Sequence, residues 1–174
     1  MFIETNMQRI FWLFCRYPTT KFTIRELAKR AKVVPATAAS VVRKLEKDGF
    51  VQLGTVGKAA QVQAAIENEK FRELKRILNI YSLLEIKNAL TEFYNYPDAI
   101  IAYGSYAKGE DIERSDIDIA VISKLKKEFD AKPFEKKMGR EIHIMRFDDW
   151  KEAPENLKGS IINGTKLYGT IDVM

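Results

Sequence analysis

Two short motifs in the second half of the chain carry residue types that bind phosphates and metal ions. The apolar run Ala99–Tyr103 has the length of a buried strand, and Gly104 and Ser105 follow it directly. A strand that ends in such a turn offers backbone N–H groups and a hydroxyl to an anion such as a triphosphate. Ten residues separate Ser105 from Asp116, where apolar residues begin to alternate with Asp116 and Asp118. This alternation predicts a second strand.

The two aspartates of that strand predict a metal site. Asp116 and Asp118 are two residues apart, so their side chains point to the same face of a strand. Two adjacent carboxylates repel each other unless a cation lies between them, and Mg²⁺ or Mn²⁺ would remove that repulsion. Carboxylates that face a phosphate-binding turn are also what metal-dependent phosphoryl transfer requires. An isolated Asp-Ile-Asp is more often a solvated pair at a sheet edge; its combination with the Gly-Ser turn favours the metal site.

The stretch AYGSYAKGEDIERSDIDIAVI resembles the active-site segment of the DNA polymerase beta-like nucleotidyltransferase superfamily, in particular its minimal nucleotidyltransferase branch. The resemblance covers about Ala99 to the C-terminus. It implies a small sheet flanked by helices, an NTP-binding turn at Gly104 and Ser105, and divalent metal held by Asp116 and Asp118. It also implies transfer of a nucleoside monophosphate from an NTP, with pyrophosphate leaving.

Two positions depart from the pattern of that superfamily. Many members carry arginines where this chain has Tyr106 and Lys108, so we expect the phosphate contact from Lys108. Members usually have a third carboxylate on a later strand, and the matching strand here is 141–145. The candidate for this position is Glu141 or His143. Glu141 is favoured because a carboxylate is the better ligand for a hard metal. His143 is either a base or metal neighbour at the site, or only a partly exposed strand residue. Without either, the domain would bind nucleotide and transfer it slowly or not at all.

The first third of the chain predicts a separate module. Apolar residues at helical spacing predict an opening helix that ends near residue 17, and Thr23-Ile24-Arg25-Glu26 has the form of a capping box. Pro35 suits the first position of a third helix, which ends at Gly49. Segments 50–53 and 61–64 alternate in polarity and predict a hairpin. The stretch TIRELAKRAKVVPATAASVVRKLEKDGFV resembles a winged helix-turn-helix domain of the MarR-like kind.

Charge favours DNA as the partner of this module. Residues 1–68 carry eleven basic and five acidic side chains, a net charge of +6, whereas the remainder is at −1. Small polar residues at the front of a helix with cations behind them suit an element that enters a DNA groove and contacts phosphates. The candidate DNA contacts are Thr37, Ser40, Arg43, Lys44 and, at the hairpin tip, Lys58. Winged helices also dock proteins, and a basic helix face is often only solvated; the charge excess favours DNA over docking.

The whole chain is predicted to have an α+β fold in three parts: a winged helix-turn-helix domain (1–66), a helical connector (67–94) and a nucleotidyltransferase domain (95–174). The connector is one long helix, or two with a break near 79–82, and its Leu-rich stripe is core or the contact of a homodimer. With 46% hydrophobic and 30% charged residues, the 174-residue chain is not a disordered tail. A single cysteine, Cys15, and the lack of a membrane-spanning run indicate a cytoplasmic protein.

Three functions are consistent with this organisation. The first is a metal-dependent nucleotidyltransferase whose acceptor is a protein, a small molecule or an RNA end. The second is a DNA-binding transcription regulator whose nucleotidyltransferase-like domain senses nucleotide. The third is an antitoxin that acts on a separate toxin partner, with the winged helix binding the operator.

Overall fold

The computed structural model describes residues 5–56 and 59–171, and the chain forms two compact units, Met1–Lys75 and Arg76–Met174. The boundary between the units falls within helix α4 (Glu69–Ser82). The described elements before it are α1 (Asn6–Arg16), α2 (Ile24–Ala31), α3 (Pro35–Lys47), β1 (Val51–Val56) and β2 (Ala59–Ala64). Those after it are α5 (Leu84–Phe93), β3 (Ala99–Tyr103), α6 (Gly104–Lys108), β4 (Ile117–Ile122), α7 (Lys132–Met138), β5 (Ile142–Phe147), α8 (Glu155–Ile162) and β6 (Thr165–Gly169).

Reciprocal side-chain caps begin the first two helices. At α2, the backbone N–H of Glu26 donates to Thr23 Oγ1 at 3.2 Å, and the N–H of Thr23 donates to Glu26 Oε2 at 2.7 Å. This confirms the predicted capping box. A second capping box, which was not predicted, joins Thr5 and Gln8 at the start of α1. Each box satisfies backbone donors that a helix start leaves without partners.

The third helix and the hairpin also lie where the sequence predicts them. Pro35 is at the first turn of α3, and Gly49, with φ +79°, follows its end. Strands β1 and β2 pair antiparallel from Val51↔Ala64 outwards. Both strands extend closer to the turn than the predicted segments 50–53 and 61–64. The predicted tip residue, Lys58, lies outside the described residues.

The connector consists of two helices, which is one of the two arrangements that the sequence allowed. Helices α4 and α5 are separated at Leu83, which is fully buried. The predicted Leu-rich stripe is divided, since Phe71 and Leu90 are buried. Its exposed members are Leu74, Ile77, Tyr81 and Leu84. Helical spacing identified a common apolar face, and the fold buries only part of it.

The second unit is built on a four-stranded mixed sheet of order β5-β4-β3-β6. Strand β3 pairs antiparallel with both β4 and β6, whereas β5 runs parallel to β4. Apolar residues of α5 pack on one face with Ile117, Ile119 and Val121, and residues of α8 pack on the other with Ala120 and Ile122. A small mixed sheet flanked by helices confirms the predicted α+β class.

None of the helices that the structure describes combines the length and apolarity needed to cross a bilayer. Cys15 is buried on α1, as expected for a small hydrophobic side chain.

Candidate active site

The predicted acidic pair lies at the beginning of β4, beside the turn that follows β3. Ile117 is fully buried, so Asp116 and Asp118 on either side of it point to the opposite face. Their side chains are 44% and 31% exposed. Because β3 and β4 are antiparallel, Asp118 is directly opposite Tyr103, the last residue of β3. The Gly104 turn therefore starts next to the acidic pair.

Gly104 makes the closest approach between the turn and the acidic pair. Its φ of +74° is in the left-handed region, which disfavours residues with a Cβ. A Cβ atom built at Gly104 would lie 2.5 Å from Asp118 Oδ2. The absence of a side chain is therefore required for the turn and the Asp118 carboxylate to occupy adjacent positions.

Strand β5 brings His143 to the same group. The parallel register of β4 and β5 places His143 opposite Asp118. The imidazole Nδ1 is 3.7 Å from Asp118 Oδ1 and 4.0 Å from Asp116 Oδ2. Glu141 lies on the other side of the ring, with its Oε2 at 3.9 Å from His143 Nε2, and its side chain is 79% exposed. Of the two residues left open by the sequence, His143 is the one beside both aspartates.

The electrostatic environment of the pair disfavours a second negative charge. Burial raises the pKa of Asp118 above its ordinary value; the nearby His143 lowers it, and the negative charge of Asp116 raises it. Burial also raises the pKa of the Tyr103 phenol, with the Asp118 charge adding to that effect. A cation at this point would be attracted by both carboxylates and would lower the pKa of Asp118.

Comparison with known proteins identifies the family of this unit. Residues 84–170 match the family described as Polymerase beta, Nucleotidyltransferase, and that span is half of the 174-residue chain. The chain belongs to this family. Residues 6–52, which contain α1 to α3, match the MarR family, so a MarR-family helix-turn-helix domain precedes the nucleotidyltransferase domain. No curated protein and no solved structure shows a significant match to the chain.

The other predicted residues of the nucleotidyltransferase domain lie on α6. Ser105 is half-buried, and its backbone carbonyl accepts a hydrogen bond from the N–H of Glu110 at 3.0 Å. Lys108 is exposed and is the last residue of α6, whereas Gly104 is the first. Ser105 is thus adjacent to the acidic pair through Gly104, while Lys108 lies at the other end of this short helix.

A buried ion pair that was not predicted from the sequence holds the loop before Asp116. The side chains of Asp111 and Arg140 are 0% and 6% exposed, and Arg140 Nη2 donates to Asp111 Oδ2 at 2.8 Å. Arg140 Nη1 donates to the backbone carbonyls of Ile112 at 2.6 Å and Ser115 at 2.7 Å. One guanidinium therefore connects the start of β5 with the loop that leads to the aspartates.

The same network reaches α4 and α6. Asn79 Nδ2 donates to Asp111 Oδ1 at 2.7 Å and to the backbone carbonyl of Tyr106 at 2.8 Å. The Tyr106 hydroxyl is 2.8 Å from Ser82 Oγ, and the Arg140 guanidinium lies 5.2 Å from the centroid of the Tyr106 ring. Tyr106 is thus a buried support of the turn.

The side chains at the nucleotidyltransferase site are of types that bind divalent cations. Two carboxylates and an imidazole are common ligands of such ions. Within residues 5–56 and 59–171, no three His, Cys, Asp or Glu side chains are placed so that they could hold a metal ion together. The separations of 3.7 and 4.0 Å around His143 Nδ1 exceed the roughly 3 Å between neighbouring ligands in a compact octahedral shell.

The MarR-family domain presents the predicted basic helix face. On α3, Ser40, Arg43 and Lys44 are exposed and Thr37 is half-buried. The apolar stripe of the same helix is buried and consists of Ala38, Val41, Val42 and Leu45. Lys58, the fifth predicted DNA contact, lies outside the described residues.

Proposed function

We propose that the chain transfers a nucleoside monophosphate from an NTP to an acceptor, with release of pyrophosphate. One observation carries this proposal: Asp118 Oδ2 lies so close to the Gly104 turn that a Cβ there would be 2.5 Å away. In a polymerase beta-type nucleotidyltransferase domain, this closeness supports a triphosphate on the turn in contact with the acidic pair. The acceptor is a protein, a small molecule or an RNA end.

Each residue of the site has a role in this reaction. Gly104 permits close approach of the backbone to a phosphate, and the Ser105 hydroxyl donates a hydrogen bond to a phosphate oxygen. Lys108 contacts the phosphates as a flexible point charge. Asp116 and Asp118 hold Mg²⁺ or Mn²⁺, which when bound neutralises charge on the attacking and leaving oxygens. Glu141, the predicted third carboxylate, acts through His143, since the imidazole separates it from the aspartates.

Transfer of label from an α-labelled NTP to components of a lysate tests this function. We expect labelling that requires Mg²⁺ or Mn²⁺ and is lost in Asp116→Asn and in Asp118→Asn. Asp130→Asn is the matched control, because Asp130 is exposed and its side chain only accepts a local hydrogen bond from the Lys132 N–H. The absence of metal-dependent labelling from the wild-type chain would contradict nucleotidyl transfer.

A second function, DNA-binding regulation of transcription, is favoured by a separate observation. The segment that matches the MarR family carries exposed Ser40, Arg43 and Lys44 on one helix, in a region with a net charge of +6. In this reading, the nucleotidyltransferase domain senses nucleotide or modifies a toxin partner. Binding of the full chain to duplex DNA, measured against salt concentration, tests it. Binding that is absent or insensitive to salt would exclude this function.

A further inference from the structure

We propose that Lys166, an exposed lysine on β6, binds the β- and γ-phosphates of the NTP and is their principal cationic contact on the protein. The inference rests on the nucleotidyltransferase function proposed above. It adds a residue to that site, and it leaves Lys108 with the smaller share of the phosphate contact.

The register of the sheet places Lys166 on the face that carries the acidic pair. Asp118 lies on the same face of β4 as Ala120, which packs in the apolar cluster that includes residues of α8. On β3, Ile101 belongs to this cluster and is paired with Lys166. Paired residues of antiparallel strands share a face of the sheet. Leu167, the next residue of β6, packs on the opposite face, as the alternation of a strand requires.

Lys108 belongs to a helix that packs on that opposite face. Tyr106 and Ala107 of α6 are buried in the same cluster as Ile117. Lys108 follows Ala107 directly and is exposed. Of these two lysines, Lys166 is therefore the one that shares a face of the sheet with Asp118.

The Gly104 turn lies between Lys166 and the acidic pair. It follows β3, which has β4 on one side and β6 on the other. Lys166 is paired with Ile101, two residues before the partner of Asp118 on β3. With strands about 4.8 Å apart and residues about 3.3 Å apart along a strand, the backbones of Lys166 and Asp118 are about 12 Å apart. That separation leaves room for phosphate groups between the ammonium group and the carboxylates.

The ammonium group of Lys166 is available to a ligand. Within residues 5–56 and 59–171, it has no ion-pair or hydrogen-bond partner, so phosphate binding breaks no existing contact. Sites of phosphoryl transfer generally combine a divalent cation with a lysine that contacts the β- and γ-phosphates. A lysine on an edge strand also discourages pairing between sheets, but that role would not make the affinity for NTP depend on Lys166.

Binding of nucleotides to the full chain tests this inference. Equilibrium dialysis with α-labelled ATP, GTP, CTP and UTP in the presence of Mg²⁺ identifies the NTP that binds most tightly, and the corresponding NMP is measured by competition. Lys166→Met removes the charge and keeps an apolar stem. We expect the dissociation constant of the NTP to rise about tenfold, as for a lost charge-assisted hydrogen bond. That of the NMP, which lacks the β- and γ-phosphates, should change less than about twofold.

Three further variants serve as comparisons. Lys166→Arg should keep most of the affinity for NTP, because a guanidinium group also binds phosphate. Lys108→Met should weaken NTP binding less than Lys166→Met. Lys151→Met is the matched control and should change neither affinity, because Lys151 is exposed and follows the end of β5 that is farthest from His143.

Acetylation of the wild-type chain gives a second measurement that needs no substitution. The rate at which each lysine is acetylated is followed by mass spectrometry, with and without nucleotide. Bound NTP should slow the acetylation of Lys166 severalfold, whereas NMP should not. The rate at Lys151 should be the same in all samples.

The outcomes separate this inference from the proposed function. Equal affinity of the wild type and Lys166→Met for NTP would overturn the Lys166 contact and leave nucleotidyl transfer standing, because NTP still binds. An equal loss of affinity for NTP and NMP would also overturn it, since such a loss indicates general damage to the site. If circular dichroism shows that Lys166→Met is unfolded, protection of Lys166 from acetylation decides the question alone. A wild-type chain that binds no NTP would overturn both.

Discussion

Asp111 and Arg140 form an ion pair that is almost completely withdrawn from solvent, with 2.8 Å between Asp111 Oδ2 and Arg140 Nη2. The Arg140 guanidinium also donates to the loop carbonyls of Ile112 and Ser115. The pair therefore fastens the strand that bears His143 to the loop that bears Asp116.

Removal of one member of this pair should strongly destabilise the protein. Arg140→Met leaves the Asp111 carboxylate buried without its counter-charge, which typically costs about 3–5 kcal/mol. We expect Arg140→Lys to be destabilising as well, because an ammonium group does not reproduce the forked contacts to two carbonyls and a carboxylate. Urea unfolding of each variant measures the change.

The exposed pair of Lys137 and Glu85 provides the control for that measurement. Both side chains are more than 60% exposed, and exposed ion pairs contribute below about 1 kcal/mol. Lys137→Ala should therefore change the free energy of unfolding little. An equal loss in Lys137→Ala and Arg140→Met would show that burial of the Asp111 pair does not contribute as described.

Gly104→Ala should damage the site, whereas Gly159→Ala should not. At Gly104 the new Cβ would meet the Asp118 carboxylate, and the φ of +74° adds strain of about 1–3 kcal/mol. At Gly159, inside α8, a Cβ would have no neighbour within 4 Å, and alanine should stabilise the helix by up to about 1 kcal/mol. Thermal unfolding and Mn²⁺ binding are the measurements. Normal Mn²⁺ affinity in Gly104→Ala would contradict the described closeness.

Asp118→Asn should raise stability in a manner that depends on pH. The folded protein holds the pKa of Asp118 above its ordinary value, chiefly by burial. Below the ordinary pKa the carboxyl is protonated in both folded and unfolded chains, so this group imposes no penalty there. As pH rises through the raised pKa, the folded state must accept a disfavoured charge and loses stability. The gain from Asp118→Asn, measured by unfolding without metal, should therefore grow from pH 3 to pH 7; a gain that shrinks would contradict this.

Substitution of the basic residues of α3 should reduce the salt dependence of DNA binding. Arg43 and Lys44 are exposed, and each phosphate contact that is removed should lower the slope of log affinity against log salt by about 0.9. Arg43→Ala is compared with Lys132→Ala, which removes an exposed charge from α7. Fluorescence anisotropy with labelled duplex DNA provides the measurement. Equal slopes for the wild type and Arg43→Ala would exclude Arg43 as a phosphate contact.

Local features of this fold were predictable from the sequence because neighbouring residues determine them. The capping box of Thr23 and Glu26 acts within one helical turn, and the fixed φ of Pro35 suits a helix start whatever packs nearby. The shared face of Asp116 and Asp118 likewise follows from the two-residue period of a strand.

Features that depend on tertiary pairing were not predictable in this way. Asp111 and Arg140 are 29 residues apart in the chain, and no periodicity links them. The preference for Glu141 over His143 rested on ligand chemistry alone, because the relative register of β4 and β5 is decided by packing of both strands against the core. Helical spacing gave Ile77 and Leu90 equal weight, yet they are 61% and 0% exposed.

The central position of β4 has a dynamic consequence. Its backbone is hydrogen-bonded to β3 on one side and β5 on the other, and every residue of the strand after Asp118 is buried. Amides in such a strand exchange with solvent deuterium only when the surrounding structure opens, so we expect β4 to be among the slowest segments. The Asp118 carboxylate is thus anchored to one of the least mobile parts of the chain. The backbone position of Asp118 is therefore established before any ligand arrives, and little backbone entropy remains to be lost there on binding.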